Sequence, residues 1–216
     1  MSGAQPCSIA GVVLAAGLSR RFGRPKQLVE IHGRILLAHV LDQVLECGLQ
    51  DVILVLGHHA EEIQAALESD KGLGRVILDQ IQIVFNPDFE TGQASSIKAG
   101  LKALSPETDA AIFIMGDHIG LTPKQINPVV KRYLEPGRPW WVVRPRYGER
   151  LGGPVLWARP SFGFLKKLTS DQGGRSVIIH MPEERIAYVD MPASMEPKDI
   201  DSPEDLARWL AEVALS

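Results

Sequence analysis

Cysteine is scarce in this chain: Cys7 and Cys47 are the only two among 216 residues. Two thiols build neither a disulfide framework nor a four-ligand zinc site, so free thiols in a reducing compartment are expected. Long apolar runs are missing as well. The longest early one, Ile9 to Leu18, is too short to span a bilayer. No basic segment precedes it, and Arg20 and Arg21 follow it, the reverse of a signal peptide. Neither sign of charge dominates: 23 Lys and Arg face 26 Asp and Glu, a net charge of -3. That balance leaves no electrostatic footprint for nucleic acid or an anionic membrane. Internal repeats and low-complexity tracts are absent too. The expectation is a soluble cytoplasmic protein with neither nucleic acid nor membrane as a partner.

With 45% hydrophobic and 23% charged residues, the composition is that of a globular chain. At roughly 150 residues per domain, the length favours one domain over residues 1–216, with residues 1–7 flexible. Short β-branched runs alternate with helical patterns. Ile9 to Ala15 reads as a buried strand, and Ile35 to Cys47 as a helix whose leucines and valines share one face before Gly48. Strands are expected at Val52–Leu56, Ile81–Phe85 and Ala110–Met115, with helices at Ala60–Leu67 and Ala94–Leu104 between them. Pro123 opens a further helix to Leu134. Beyond it the pattern loosens: strands at Trp140–Arg144, Val155–Trp157 and Ile186–Val189, and short helices at Ser161–Leu168 and Arg175–His180. Ser202, Pro203 and Asp205 form a capping box that starts a last helix. Strand–helix alternation implies an α/β fold, a mostly parallel sheet with helices on both faces. Ligands of such sheets gather beyond the carboxyl ends of the strands.

The segment after the first strand, Leu14-Ala15-Ala16-Gly17-Leu18-Ser19-Arg20-Arg21-Phe22-Gly23-Arg24-Pro25-Lys26, is the richest in chemistry. Its glycines free backbone amides to approach a ligand, Ser19 adds a hydroxyl, and Arg20, Arg21, Arg24 and Lys26 bring positive charge. The combination suits a polyphosphate, although a solvated basic loop is the plainer reading. It is neither a P-loop nor the dinucleotide fingerprint, because no Ser or Thr follows Lys26 and G-x-G-x-x-G is missing. Asp117 follows a buried strand and Gly116, a position from which a carboxylate can hold magnesium or cap the next segment. Gln93, Ser95 and Ser96 at a helix start either read a base or sugar or cap that helix. Asp201 precedes a helix N-terminus, where the helix dipole alone favours a carboxylate. Arg175 can fork onto a phosphate or pair with Asp171. His58-His59 reads as a loop at the surface or the substrate edge, and Trp140-Trp141 as packing.

These segments resemble the molybdenum-cofactor nucleotidyltransferases of the nucleotide-diphosphosugar transferase fold, and within them the molybdopterin cytidylyltransferases. The first loop is similar to the family's A-A-G-x-S-x-R-F-G-x-x-K. Gly92 to Ile97 is similar to its G-x-x-x-S-[LI], Met115-Gly116-Asp117 to its metal-carboxylate strand end, and Gly153 to Leu156 to its G-x-P-x-L. Asp171 to Arg175 and Asp199 to Leu206 resemble its G-D-x-G-x-R and terminal D-I-D-[ST]-P-E-D-L. One departure is plain: His118-Ile119-Gly120 stands where the family continues with Gln and Pro.

The resemblance implies a Rossmann-like fold with a mixed central sheet and transfer of CMP from CTP to the terminal phosphate of molybdopterin. Lys26, Arg21 and Asp117 would be catalytic. Leu14, Ala15, Ala16, Gly17, Ser19, Gly23, Lys26, Gly92 and Ser96 would bind nucleotide. Asp117 and Asp201, with Asp199 as a further candidate, would hold Mg2+, and Gln93, Ser95 and Arg175 would meet the substrate. CTP is favoured over GTP because the guanylyl branch reads A-G-G in the first loop and carries Asp before the lysine, whereas here Ala16 and Pro25 stand there. A molybdoenzyme or its chaperone is a candidate partner. The alternatives are a nucleotidyltransferase that uses GTP as donor or acts on a sugar phosphate or another phosphorylated alcohol, and a non-catalytic nucleotide-binding protein of the same fold.

Overall fold

The computed structural model describes residues 7–19, 21–70, 78–137, 139–200 and 202–214. The expected flexibility at the start, apart from Cys7, and the expected metal role of Asp201 concern residues outside these. Strand β1 (Ile9–Ala15) is buried at every position, as a strand covered on both faces must be. A short hairpin of β2 (Glu30–Ile31) and β3 (Arg34–Ile35) leads into helix α1 (Leu36–Leu45). Then follow β4 (Asp51–Leu56), α2 (Ala60–Ser69), β5 (Ile81–Phe85), α3 (Gln93–Ala103), β6 (Ala110–Met115), β7 (His118–Ile119) and α4 (Pro123–Leu134). The remaining elements are β8 (Val142–Tyr147), β9 (Arg150–Leu151), β10 (Val155–Ala158), α5 (Phe162–Leu165), α6 (Gly174–Ile178), β11 (Ile186–Met191), β12 (Lys198–Asp199) and α7 (Pro203–Ala214).

The main sheet runs β11-β8-β10-β6-β1-β4-β5, with β9 pairing β8. Strands β6, β1, β4 and β5 are parallel, β10 runs against both β6 and β8, and β11 is parallel to β8. The mixed, mostly parallel sheet is the one expected. Helices α1, α2 and α4 bury one layer of apolar residues against it, with Leu37, Leu41, Ile63, Leu67, Ile126 and Val129 at its centre. On the other face α3, α5 and α6 pack Ile97, Leu101, Leu165 and Ile178 over Val12, Ile53 and Trp157. Each such side chain contributes about 1.5–3 kcal/mol by leaving water.

Two features depart from the pattern read in the sequence. Strand β8 starts at Val142 and runs through Pro145 to Tyr147. Trp140 and Trp141 instead precede it, each beneath a guanidinium, Arg132 and Arg185, at 5.2 Å. Pro145 is tolerated inside the strand because β10 pairs only with Val142 and Val143, and β9 takes over at Arg146. The other surprise is β7, which pairs antiparallel with β12, Asp199 opposite His118, and brings the C-terminal segment back beside β6. At the start of α7, Ser202 and Asp205 make the expected reciprocal cap, at 3.0 Å and 3.2 Å.

Candidate active site

Strands β1, β4 and β6 end on one edge of the sheet, and β1 has a parallel neighbour on each side, so a crevice opens beyond their carboxyl ends. The chain turns sharply there. Ser19 adopts φ 49°, its carbonyl accepts from Phe22 N at 3.0 Å, and its hydroxyl accepts from Lys26 N at 3.2 Å. The basic loop is thereby folded back on itself. Its far end is tied to β1 by Gln27, which is buried and donates to the Ala15 carbonyl at 3.1 Å.

This backbone delivers Lys26 to Asp117. The Lys26 ammonium lies 2.6 Å from Asp117 Oδ2, with the two side chains 12% and 13% exposed. The pair satisfies one carboxylate oxygen only: Asp117 Oδ1 is buried with no hydrogen-bond partner. A partnerless carboxylate oxygen in a polar crevice is a ligand for a hard divalent cation, and the site therefore fits magnesium or manganese. Among the described residues no three His, Cys, Asp or Glu side chains gather into a metal cage. An ion held here would take most of its ligands from phosphate and water, the usual habit of magnesium.

Asp199 enters the same crevice through the β7–β12 pairing. Its carboxylate accepts from His118 Nε2 at 3.1 Å, and that hydrogen bond holds the Asp199 carboxyl below its ordinary range. His118 itself is buried, and its Nδ1 has no partner.

The crevice has a volume of about 670 Å³, within the range of small-molecule sites. From the end of β1 and the loop after it, Leu14, Ala16, Gly17, Arg21 and Lys26 line it; Gly92, Gln93 and Ser96 do so from the start of α3. Ser19 borders an inner recess beside Lys26 and Asp117. Three expected residues lie elsewhere. Ala15 is buried in the core and reaches the site only through its carbonyl. Gly23 turns the loop at φ 75° without lining the crevice. Ser95 faces a different groove, where it donates to the Gly92 carbonyl and accepts from Asn86 Nδ2, both at 2.8 Å.

Gly92 has a steric reason. At φ 112°, a Cβ there would lie 2.4 Å from the Ser170 carbonyl carbon and 2.5 Å from Asp171 Oδ1. The absence of a side chain lets the 169–171 turn close on α3, where Ala94 N donates to the Ser170 carbonyl at 3.0 Å. Asp171 then borders the crevice, and among the described residues it forms no ion pair with Arg175.

Arg175 borders a second cavity of about 380 Å³, reached past Leu14, Gln93, Met115, His118 and Asp199, which line both. Its walls include Phe113, Trp157 and Ile178, and its floor holds Arg144 on β8. The sequence reading missed Arg144. Its signal was an arginine set in the buried register of Val142-Val143-Arg144, where an apolar residue belongs.

A sheet of this order, with a basic loop and a carboxylate converging at the β1–β6 edge, fits a nucleotidyltransferase. Residues 11–185 match the MobA-like NTP transferase domain, and the chain belongs to that family. Nicotine blue oxidoreductase of Paenarthrobacter nicotinovorans is 27% identical over 95% of this chain and 97% of its own. A probable molybdenum cofactor guanylyltransferase of Pyrococcus horikoshii is 29% identical over 58% of this chain and 56% of its own. The match to the bifunctional protein GlmU of Sorangium cellulosum, 33% identical over 57% of this chain, spans only 26% of that longer protein. Among solved structures, Rv0371c of Mycobacterium tuberculosis superposes with a TM-score of 0.78 at 27% identity, covering 95% of this chain and 98% of its own. A manganese complex of Rv0371c gives 0.76 at 26% identity, covering 94% and 98%. Among the described residues no helix is long and apolar enough to cross a membrane.

Proposed function

We propose that this nucleotidyltransferase, read as one domain over residues 1–216 and working in the cytoplasm, transfers CMP from CTP to the terminal phosphate of molybdopterin and releases pyrophosphate. The observation that carries the reading is the 2.6 Å contact between Lys26 and Asp117 in a crevice rimmed by a glycine-containing basic loop. A cation and a carboxylate with a spare oxygen can then share one triphosphate. The molybdenum cofactor guanylyltransferase among the relatives supports the acceptor; Ala16 and Pro25, where a guanylyl enzyme carries Gly and Asp, support CTP.

The acceptor phosphate is already ionised, so its oxygen attacks the α-phosphorus without a base. The bond from that phosphorus to the bridging oxygen breaks, and pyrophosphate leaves with its electron pair. Positioning and charge neutralisation are what the reaction needs from the protein. Backbone amides around Gly17 hold the triphosphate. Lys26, helped by Arg21, offsets charge on the departing pyrophosphate. Ser96 and Gln93 hydrogen-bond nucleotide or acceptor at the start of α3, and Arg175 holds the acceptor from the second cavity. Asp117, with Asp199 or Asp201, would hold Mg2+, which when bound neutralises phosphate oxygens as a Lewis acid. A molybdoenzyme or its chaperone would receive the product.

The test incubates the purified protein with each nucleoside triphosphate, Mg2+ and molybdopterin, measures pyrophosphate and identifies the dinucleotide by mass. The cytosine dinucleotide is expected. Pyrophosphate released only with another phosphorylated acceptor overturns the acceptor, and none with any acceptor overturns the catalytic reading.

A further inference from the structure

Arg144 is 6% exposed, yet among the described residues it forms no ion pair. Its guanidinium donates from Nη2 to one neutral partner, the Gly152 carbonyl at 3.2 Å, and its Nε is buried without a partner. A cation held in this way has lost water and gained little in return. Arg175 makes matters worse. It faces Arg144 across the second cavity, and burial together with the Arg175 charge lowers the Arg144 pKa. The carboxylate on this cavity, Asp199, sits on the rim shared with the crevice, hydrogen-bonded to His118, and among the described residues ion-pairs with neither arginine. Two arginines converging on a cavity with no carboxylate paired to them form a site for an anion, which Arg recognises through its planar fork.

This site is not the place where phosphorus is attacked. Strand β8 lies two strands from β6 across β10, a lateral separation of roughly 10 Å at about 4.8 Å per strand. Lys26 and Asp117 line the crevice at the β1–β6 edge and do not line the second cavity, whereas Arg144 and Arg175 do the reverse. Between the two ends run the shared rim and the apolar walls of Phe113, Trp157 and Ile178.

Resting on the nucleotidyltransferase reading above, we infer that the acceptor has two anionic ends: a phosphate presented at the Asp117 edge, and a second anionic group, carried on a flat apolar body, that Arg144 and Arg175 clamp in the second cavity. Arg144 is thus a specificity-determining residue. The plainer role, bracing the loop at Gly152 through its one hydrogen bond, makes the opposite prediction for stability.

The experiment uses two commercial probes of one ring system, pterin-6-carboxylate and neutral 6-hydroxymethylpterin, titrated calorimetrically into the intact protein with and without CTP and Mg2+. Wild type is expected to bind the carboxylate at least about tenfold more tightly, and CTP is expected not to displace it. Arg144→Met and Arg175→Met should each erase that ratio while leaving CTP affinity unchanged. The melting temperature of unliganded Arg144→Met should equal or exceed that of wild type, because an uncompensated buried charge has gone. A lower melting temperature with the ratio intact would establish the bracing role and overturn the inference. Should Arg144→Met fail to fold, the exposed Arg175→Met decides alone, a retained ratio overturning the proposal. A protein that binds CTP without distinguishing the probes sinks the second anion and leaves the function standing. One that distinguishes the probes but binds no triphosphate does the converse.

Discussion

Lys26 and Asp117, 91 positions apart in sequence, meet at 2.6 Å at the edge of β1 and β6 with little exposure of either side chain. The contact makes each residue's chemistry conditional on the other. In the free protein the ammonium pairs with the carboxylate; on the proposed function, a bound triphosphate would draw Lys26 to its phosphate oxygens and free Asp117 for a cation.

Asp117→Asn keeps the shape and a hydrogen-bonding oxygen for Lys26 but removes the negative charge. The rate of pyrophosphate release at saturating triphosphate and Mg2+ should fall at least about 100-fold, the scale expected when an electrostatic group is lost from a transition state. Thermal stability should change far less than the rate. A rate near that of wild type would remove Asp117 from the mechanism.

Lys26→Met strands the buried Asp117 carboxylate. Removing one partner of a buried pair costs about 3–5 kcal/mol when nothing replaces it. For a chain of this size each kcal/mol lowers Tm by about 2–4 °C. In EDTA the variant should therefore melt at least about 5 °C below wild type. Adding Mg2+ or Mn2+ should recover more of that loss than the same ion adds to wild type, because the competing ammonium is gone. Turnover should remain low even so. Calorimetry with and without metal checks this, and a metal response no larger than that of wild type would mean that Asp117 is not the metal site.

Gly92→Ala forces a Cβ to 2.4 Å from the Ser170 carbonyl carbon at a backbone φ of 112°. Strain of this kind costs about 1–3 kcal/mol, and the turn must also retreat from α3. The expected outcome is a lower Tm together with a raised KM for the triphosphate, since Gly92 and Gln93 border the crevice. Ser95→Ala should be separable from it, losing about 1 kcal/mol from its hydrogen bonds to Asn86 and Gly92 with kinetic constants unchanged.

The parts legible in the sequence are those coded by neighbours along the chain. The apolar run Ile9–Ala15, the Gly116-Asp117 strand end and the Ser202–Asp205 cap all depend on residues within a few positions. The basic loop was legible because its glycines and cations are contiguous. What escaped depends on distant pairing. His118 meets Asp199 only because two-residue strands, too short for any periodicity, find each other across 81 positions. Ser95 and Ser96 are adjacent with similar chemistry, yet helix geometry sends one to the groove beside Asn86 and the other to the crevice. Arg144 escaped because a strand pattern tells which face a residue takes, not that a cavity lies under it.

The two thiols should react very differently. Burial pushes the Cys47 thiol up to about 12, and its Sγ donates to the Gln43 carbonyl at 3.1 Å. At pH 8 about one molecule in 10,000 then carries the thiolate. Cys7 is exposed, although partial burial and the Asp109 carboxylate raise it somewhat. Iodoacetamide on the folded protein should label Cys7 first, with Cys47 following only on unfolding. Peptide mass mapping over time reads the order, and early labelling of Cys47 would contradict the packing around α1.

Nucleotide choice is the sharpest remaining test. Ala16 is buried at the lip of the crevice, its methyl group wedged near Gly57 and Phe89: a Cβ on Gly57 would approach Ala16 Cβ to 2.8 Å and Phe89 Cβ to 2.6 Å. That packing leaves the Ala16 methyl little room to move aside for a larger base. A purine adds a second ring to be accommodated, so overlap acts against GTP, and polar groups left unpaired by the wrong base add to the penalty. The expected outcome is kcat/KM at least about tenfold higher with CTP than with GTP, roughly 1.4 kcal/mol of differential transition-state binding. Ala16→Gly should narrow that ratio by admitting GTP while altering the CTP rate little. Equimolar competition, with the dinucleotide products separated by mass, measures both proteins under one set of conditions. If the guanine product dominates in wild type, the cytidylyl assignment falls while transfer itself survives. If the ratio favours CTP but does not change in Ala16→Gly, selection resides in polar groups elsewhere on the crevice wall, with Ser96 and Gln93 next in line.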